Sequence, residues 1–356
     1  MEQISREFLK LIVETPSPTG KEASVQKIWI DYITRYATSI ETDIYGNAIA
    51  YKPGKTDLKI VLIGHSDEIG LMVTYITDEG FLRFDGVAPA GANVLKGQHV
   101  LIKTAKNQVY GVIGADDLDN DDNDDSDKNS NTRLTKLWVD IGAKNKEDAQ
   151  KQVCVGDSIV IERQLKKMGE HFFVGQGLDG KIGIFVIAEI LRKLEGKQIN
   201  PELYALSSVQ EEISSAGVKM AVYRINPQAA IVIDVTSATD YPSVKKEIYG
   251  DIRMGSGPVI SIGIPVNNVL AELLKNTAQK LNIPVQFKAE PKYTYCDADD
   301  TFTSREGVAT AVVSIPMRYT HTPVENVHLN DVELVIELIR QFLEDLPATQ
   351  DFRPIK

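Results

Sequence analysis

The chain has 356 residues, of which 43% are hydrophobic and 25% charged, a balance that excludes a disordered or collagen-like protein and gives a soft expectation of about two domains. Its 50 acidic and 39 basic residues leave a net charge of -11, so no global attraction draws it to nucleic acid or to anionic lipid. No run approaches the ~20 apolar residues of a membrane helix, the N-terminus has no basic and apolar leader, and two cysteines, Cys154 and Cys296, are too few for a disulfide framework. The expected location is the cytoplasm.

In chain order, residues 5–15 place Phe8, Leu9, Leu11 and Ile12 at helical spacing, and Pro16-Ser17-Pro18-Thr19-Gly20 stops that helix. Residues 22–36 predict a second helix with Val25, Ile28, Trp29 and Tyr32 on one face. Residues 40–51 read as a hairpin turning at Tyr45-Gly46-Asn47. The run 59–64, Lys-Ile-Val-Leu-Ile-Gly, is short, apolar and β-branched, as a buried strand of an α/β sheet should be, and it ends at His65-Ser66-Asp67. From 70 to 163 the texture changes to short alternating runs at 71–76, 81–84, 99–103, 109–113, 137–141 and 158–161, separated by turns. They predict a small all-β unit of barrel or sandwich type. Its strands would expose edges unless another surface met them. Alternation of helix and strand then resumes, with helices at 182–194, 269–281 and 332–346 and strands at 203–210, 230–234 and 309–315. The expected architecture is therefore an α/β domain built from 1–69 and 164–356, with a β domain, 70–163, inserted in it. Within the insert, the Asp/Asn-rich residues 116–127 lack the sixth-position glycine and twelfth-position glutamate of a calcium loop. They read as a solvated, self-repelling loop that points away from any dimer interface.

Candidate chemistry gathers at strand ends, where open α/β sheets place their sites. Of the five histidines, His65 closes the strand at 59–64 and His321 follows the strand at 309–315. Asp179 stands just before a predicted helix, Glu211 and Glu212 follow the strand at 203–210, and Asp234 ends the strand at 230–234. Singly, each has an ordinary role: a hydrogen-bonding histidine, a helix cap at Asp179, or an acidic pair at a helix start. Together they say more. Burying carboxylates costs several kcal/mol each unless a cation or partner is present. Two histidines and three carboxylates are what two divalent metals sharing a bridging carboxylate require. If Glu211 and Glu212 end a strand they point to opposite sides, so one can bind metal while the other serves as a general base.

Gly64-His65-Ser66-Asp67-Glu68-Ile69-Gly70 resembles the His-x-Asp-Glu-Ile-Gly signature of the M42 family of metallo-aminopeptidases. Leu178-Asp179-Gly180-Lys181-Ile182-Gly183 is similar to that family's Leu-Asp-Asp-Arg-x-Gly, and Val209-Gln210-Glu211-Glu212 to its Val-Gln-Glu-Glu. Further blocks resemble it at 233–236, 257–260 and 314–325, so the likeness spans nearly the whole chain. The resemblance implies a binuclear aminopeptidase acting on peptides, with two divalent ions, Zn2+ or Co2+. It makes His65, Asp179, Glu212, Asp234 and His321 the metal ligands, Asp179 the bridge, Glu211 the general base and Asp67 the acid that orients His65. It makes the insert a dimerisation domain, and implies a homo-oligomer assembled from dimers into a dodecamer. Gly180 departs from the pattern where a second Asp is usual, Lys181 replaces Arg, and 116–127 replaces a more ordinary segment. Two rival readings compete with it. A glycoside hydrolase needs two carboxyls roughly 5–9.5 Å apart across one bond and would leave the histidines without a role. A non-catalytic assembly protein would not need the complete ligand set. An acidic N-terminal residue on the substrate would need a cation to receive it, for which Lys245, Lys246, Arg253 and Arg318 are candidates.

Overall fold

Strand Lys59–His65 sits near the centre of an eleven-stranded mixed sheet, with Glu202–Ser208 parallel on one side and Ala229–Ser237, then Ala309–Arg318, parallel on the other. The computed structural model of the protein describes residues 1–87, 91–115 and 134–355; the acidic stretch 116–127 lies outside them. Over the described residues the chain divides into two compact units. One comprises Met1–Asp67, Leu165–Thr320 and Val324–Lys356, and the other Glu68–Gln164 with His321–Pro323.

In the first unit the central strands are apolar without polar alternation because both faces of the sheet are covered. Ile60, Leu62, Ala229, Ile231, Ala311 and Val313 join one core. The residues between them, Val61, Ile63, Ala230, Val232 and Val312, join a second with Val218, Ala221 and Val222 of helix Ala216–Ile225. Helix Lys181–Lys193 is buried at every position from Lys181 to Leu191, which is why its sequence is apolar all round rather than striped. It packs on strand Lys59–His65 and beneath helices Gln3–Glu14, Ala23–Ile33 and Leu329–Asp345. Its entry depends on Gly183, where a Cβ would stand 2.3 Å from the Ile233 carbonyl oxygen. Without a side chain there, the helix start lies directly on the strands, and Asp179 arrives at their carboxyl ends.

Antiparallel strands extend the sheet: the hairpin Ser39–Thr42 and Ala48–Lys52 at one edge, and Asn326–His328, Phe172–Val174 and Lys166–Met168 at the other. Val259–Gly263 and Gln286–Glu290 branch from Ala309–Arg318. The sequence reading did not identify these last five as strands. Three of them have only three residues, too few to show a period. Two boundaries also move. The strand expected at 203–210 stops at Ser208; Gln210 takes a left-handed φ of 60° and Glu211 opens a helical turn, Glu211–Ser214. The strand expected at 230–234 runs on to Ser237, so Asp234 lies within it.

The second unit is a closed six-stranded barrel of Leu71–Ile76, Leu82–Gly86, Leu137–Asp140, Gln108–Ala115, His99–Lys103 and Ser158–Ile161, in that spatial order. Leu71, Val73, Leu82, Phe84, Val100, Ile102, Ile113, Val139 and Ile159 fill it. Pairing of Leu71 with Ile159 joins the last strand to the first. Closure removes the free edges, so the expectation that these strands expose edges does not hold.

Candidate metal centre

The parallel register sets the site. Ser208 lies opposite His65, and Asp234 lies opposite Ser314, so neighbouring strands deliver their polar residues at one level. His65 is 2% exposed and Asp67 is fully buried, while Asp179 and Asp234 are each 6% exposed. The His65 Nε2 atom is 3.5 Å from Asp179 Oδ1, 3.6 Å from Asp234 Oδ1 and 3.9 Å from Glu211 Oε2. Its Nδ1 is 3.5 Å from Asp67 Oδ1, at the outer limit of a hydrogen bond. His65, Asp179 and Asp234 offer three ligand atoms within 4.8 Å of one another. A neutral imidazole and convergent carboxylates at this spacing fit a divalent cation, which would replace several unfavourable carboxylate contacts by one shared charge.

Asp67 does two jobs. Besides facing the His65 ring, it accepts the backbone N–H of Glu211 at 3.0 Å and of Glu212 at 3.2 Å. These are open donors of the first turn of Glu211–Ser214, so a carboxylate caps them favourably. Thr19 donates to the same carboxylate at 2.9 Å, and Ser17 donates to the Ser66 carbonyl at 2.7 Å. The segment at 16–20 that stops the first helix thus braces the end of strand Lys59–His65. Glu22 accepts from Gly20 N–H and Gln210 N–H and ties the same segment to the Glu211 turn. Because Glu211 and Glu212 occupy a helical turn, their side chains diverge by about 100° rather than pointing to opposite sides. That corrects the strand-end reading of the pair.

Charge in the cluster is strongly perturbed. Burial alone would lower the His65 pKa, but the charge of Glu211 and the facing carboxylates of Asp179, Asp234 and Asp67 raise it well above its ordinary value. Burial raises Glu211 to about 10; His65 opposes that, while Asp234, Asp297 and Glu212 add to it. A half-buried carboxylate with a raised pKa beside ligand groups is the profile of a proton-transferring residue.

Asp179 donates its N–H to buried Glu325 at 3.1 Å. Gly180, in the position where the family pattern has Asp, takes φ +74°, and a Cβ there would stand 2.3 Å from the His65 ring. The ring occupies the space a side chain would need. Lys181 is fully buried and donates to the Thr15 carbonyl.

His321 has a left-handed φ of 61° and offers a ligand atom within 4.8 Å of those of Asp179 and Glu212. The remaining histidines and the candidate cations fall elsewhere. His99 pairs with Tyr110 on the barrel, and the His171 and His328 rings lie 5.5 Å apart. Arg318 forms a double hydrogen bond with Asp240, and Lys246 and Arg253 both pair with Asp251. These three cations already have partners. The sequence reading missed Asp297, which is buried beside the cluster. Its neighbours in Cys296-Asp297-Ala298-Asp299-Asp300 look like an acidic helix start on a surface; only its place among apolar Cys296 and Ala298 hinted at burial.

A double-faced α/β sheet with carboxylates and a histidine converging at its strand ends fits a metal-dependent hydrolase. The profile of the M42 glutamyl aminopeptidases matches residues 46–338, and the chain belongs to that family. It is 32% identical over 350 residues to the lysyl aminopeptidase of Pyrococcus furiosus, covering 98% of this chain and 99% of that one. Its fold matches a TET aminopeptidase from a marine-sediment Thaumarchaeota archaeon with TM-score 0.90, 29% identity and 96% of each chain covered. It also matches the Pyrococcus horikoshii TET1 peptidase, described as assembling into a tetrahedron or a large octahedral shell, with TM-score 0.84, 30% identity, 96% of this chain and 100% of that one. The protein is a metal-dependent aminopeptidase, a peptide hydrolase.

Proposed function

We propose that the enzyme removes N-terminal residues from peptides at a binuclear centre, in which His65, Asp179 and Asp234 would hold one ion and Asp179, Glu212 and His321 the other. Asp179 belongs to both groups and would be the carboxylate they share. The observation that carries the reading is the convergence of three carboxylates within 4 Å of one buried imidazole nitrogen. Divalent ions at such sites polarise a carbonyl and acidify water. Glu211, beside the ligands, takes the water's proton during attack on the scissile carbonyl and returns it to the leaving amine. Asp67 keeps the His65 ring oriented and, through the two N–H groups it accepts, fixes the turn that carries Glu211 and Glu212. A two-carboxyl glycosidase mechanism gives His65 no task, and it is not favoured.

Zinc or cobalt suits a mixed imidazole and carboxylate set. Assembly into a homo-oligomer, up to a dodecamer, is supported by the TET relatives, and we assign the dimer contact to the barrel unit. No helix among the described residues is long and apolar enough to cross a membrane, and we place the enzyme in the cytoplasm. A panel of chromogenic aminoacyl amides, assayed with chelator and then with zinc, cobalt or manganese restored, tests the reading. Release should stop on chelation and return with metal. Chelator-resistant release would overturn it.

A further inference from the structure

We propose that Asp297 is a positioning residue whose buried negative charge strengthens metal binding at this centre, although it is not itself a ligand. The inference rests on the metal-centre reading above. Asp297 is 2% exposed. Its Oδ2 accepts the Ser208 hydroxyl at 2.6 Å, and its Oδ1 has no hydrogen-bond partner among the described residues. It precedes the turn Ala298–Thr301, yet its side chain does not cap that turn. No lysine or arginine among the described residues pairs with it, and the charges it senses are those of His65, Asp67 and Asp234, while Glu211 in turn senses Asp297.

An ordinary structural role does not account for these facts. A carboxylate buried without a cation beside other carboxylates is costly, and a neutral amide of the same shape could accept the Ser208 hydroxyl equally well. What the amide cannot supply is charge. The Ser208 hydroxyl oxygen that holds Asp297 also lies 3.1 Å from the Gly64 carbonyl oxygen. Gly64 precedes His65, and Ser208 lies opposite His65 in the parallel register. The charge is therefore pinned beneath the two strand ends that lead to His65 and to Glu211 and Glu212. Burial raises its pKa to about 7, so it is the ionised form that attracts a cation there, in a medium where charges interact more strongly than in water. With Asp67, Asp179, Glu211, Glu212 and Asp234 it outnumbers the positive charge of two divalent ions, so the site favours cation entry at the expense of the metal-free fold.

The test measures cobalt and zinc affinity by competition with a chromophoric chelator, together with the melting temperature of the metal-stripped enzyme, for wild type, Asp297→Asn and Ser208→Ala. Asp297→Asn should weaken metal binding about 10-fold or more while leaving the metal-free melting temperature unchanged or raised. Ser208→Ala keeps the charge and should bind metal within about 3-fold of wild type, below the usual loss for a supporting residue. Metal affinity of Asp297→Asn equal to wild type overturns the inference. So does a fall in its metal-free stability, or a Ser208→Ala variant that loses as much affinity as Asp297→Asn, since either would mark a structural role. Wild type that binds no metal tightly would overturn the metal-centre reading itself, a result distinguishable from the others because it appears before any substitution is made.

Discussion

In the barrel, Leu71, Val73, Leu82, Phe84 and Val139 turn inward from short strands and meet only other apolar side chains. In the parallel sheet, Ile60 to Ile63 and Ala229 to Ile233 are equally buried, but the same strands then carry His65 and Asp234 into a buried cluster with Asp67 and Asp179. Burial is similar in the two regions and the chemistry is opposite. Apolar burial in the barrel lowers free energy without further help. The strand ends bury charges that repel one another, and they do so stably only with a cation or with bound protons in its place. Burial in the one region is favourable in itself, and in the other it needs a compensating charge.

The largest expected effect strikes the second region through chemistry alone. Glu211→Gln should cut turnover by about 100-fold or more, the usual contribution of a general base. Metal content measured by elemental analysis should stay near wild type if Glu211 is, as proposed, the proton acceptor and not a ligand. Wild-type rates in this variant would remove Glu211 from the mechanism.

A comparable free energy, read as stability, comes from the barrel. Leu82 is fully buried, and Leu82→Ala should lower unfolding stability by about 2–5 kcal/mol through lost burial and the cavity left behind. Metal stoichiometry of the folded protein should not change. Denaturant melts of the metal-loaded variant check the first part and elemental analysis the second. A variant that melts like wild type would show that the barrel interior is not packed as described.

The smallest effect sharpens the contrast through pH. His65 and Glu211 both have pKa values raised above their ordinary values, Glu211 to about 10. The metal-stripped fold therefore binds more protons than the unfolded chain at neutral pH. The stability those protons supply is present at low pH and lost as pH rises through the folded pKa values. The metal-stripped enzyme should accordingly melt higher at about pH 6 than at about pH 8.5, and metal affinity should move the other way. Calorimetric melts of stripped enzyme and chelator competition at the two pH values measure both trends. Stripped stability that rises over this interval would contradict the raised pKa values.

Much of this was legible in the sequence because it depends on local pattern. The run 59–64 announced a doubly covered strand, since only a strand buried on both faces dispenses with polar alternation. The six short runs between 70 and 163 announced a β unit. The motifs around His65, Asp179, Glu211 and Asp234 pointed to the family and to a metal. What the sequence could not decide were matters of contact between residues far apart in the chain. Barrel closure depends on Leu71 meeting Ile159, 88 positions away by their numbering. The turn at Gln210 that sets the angle between Glu211 and Glu212 is held by Glu22 and Asp67. Gly180 read as a departure from a motif, and only the His65 ring packed against it shows why that position has no room for a side chain. Asp297 carries no signal beyond its place between apolar Cys296 and Ala298 until the fold buries it beside His65. Periodicity reports which face of one element is buried; the identity of the group waiting on the other side is set by packing across the fold.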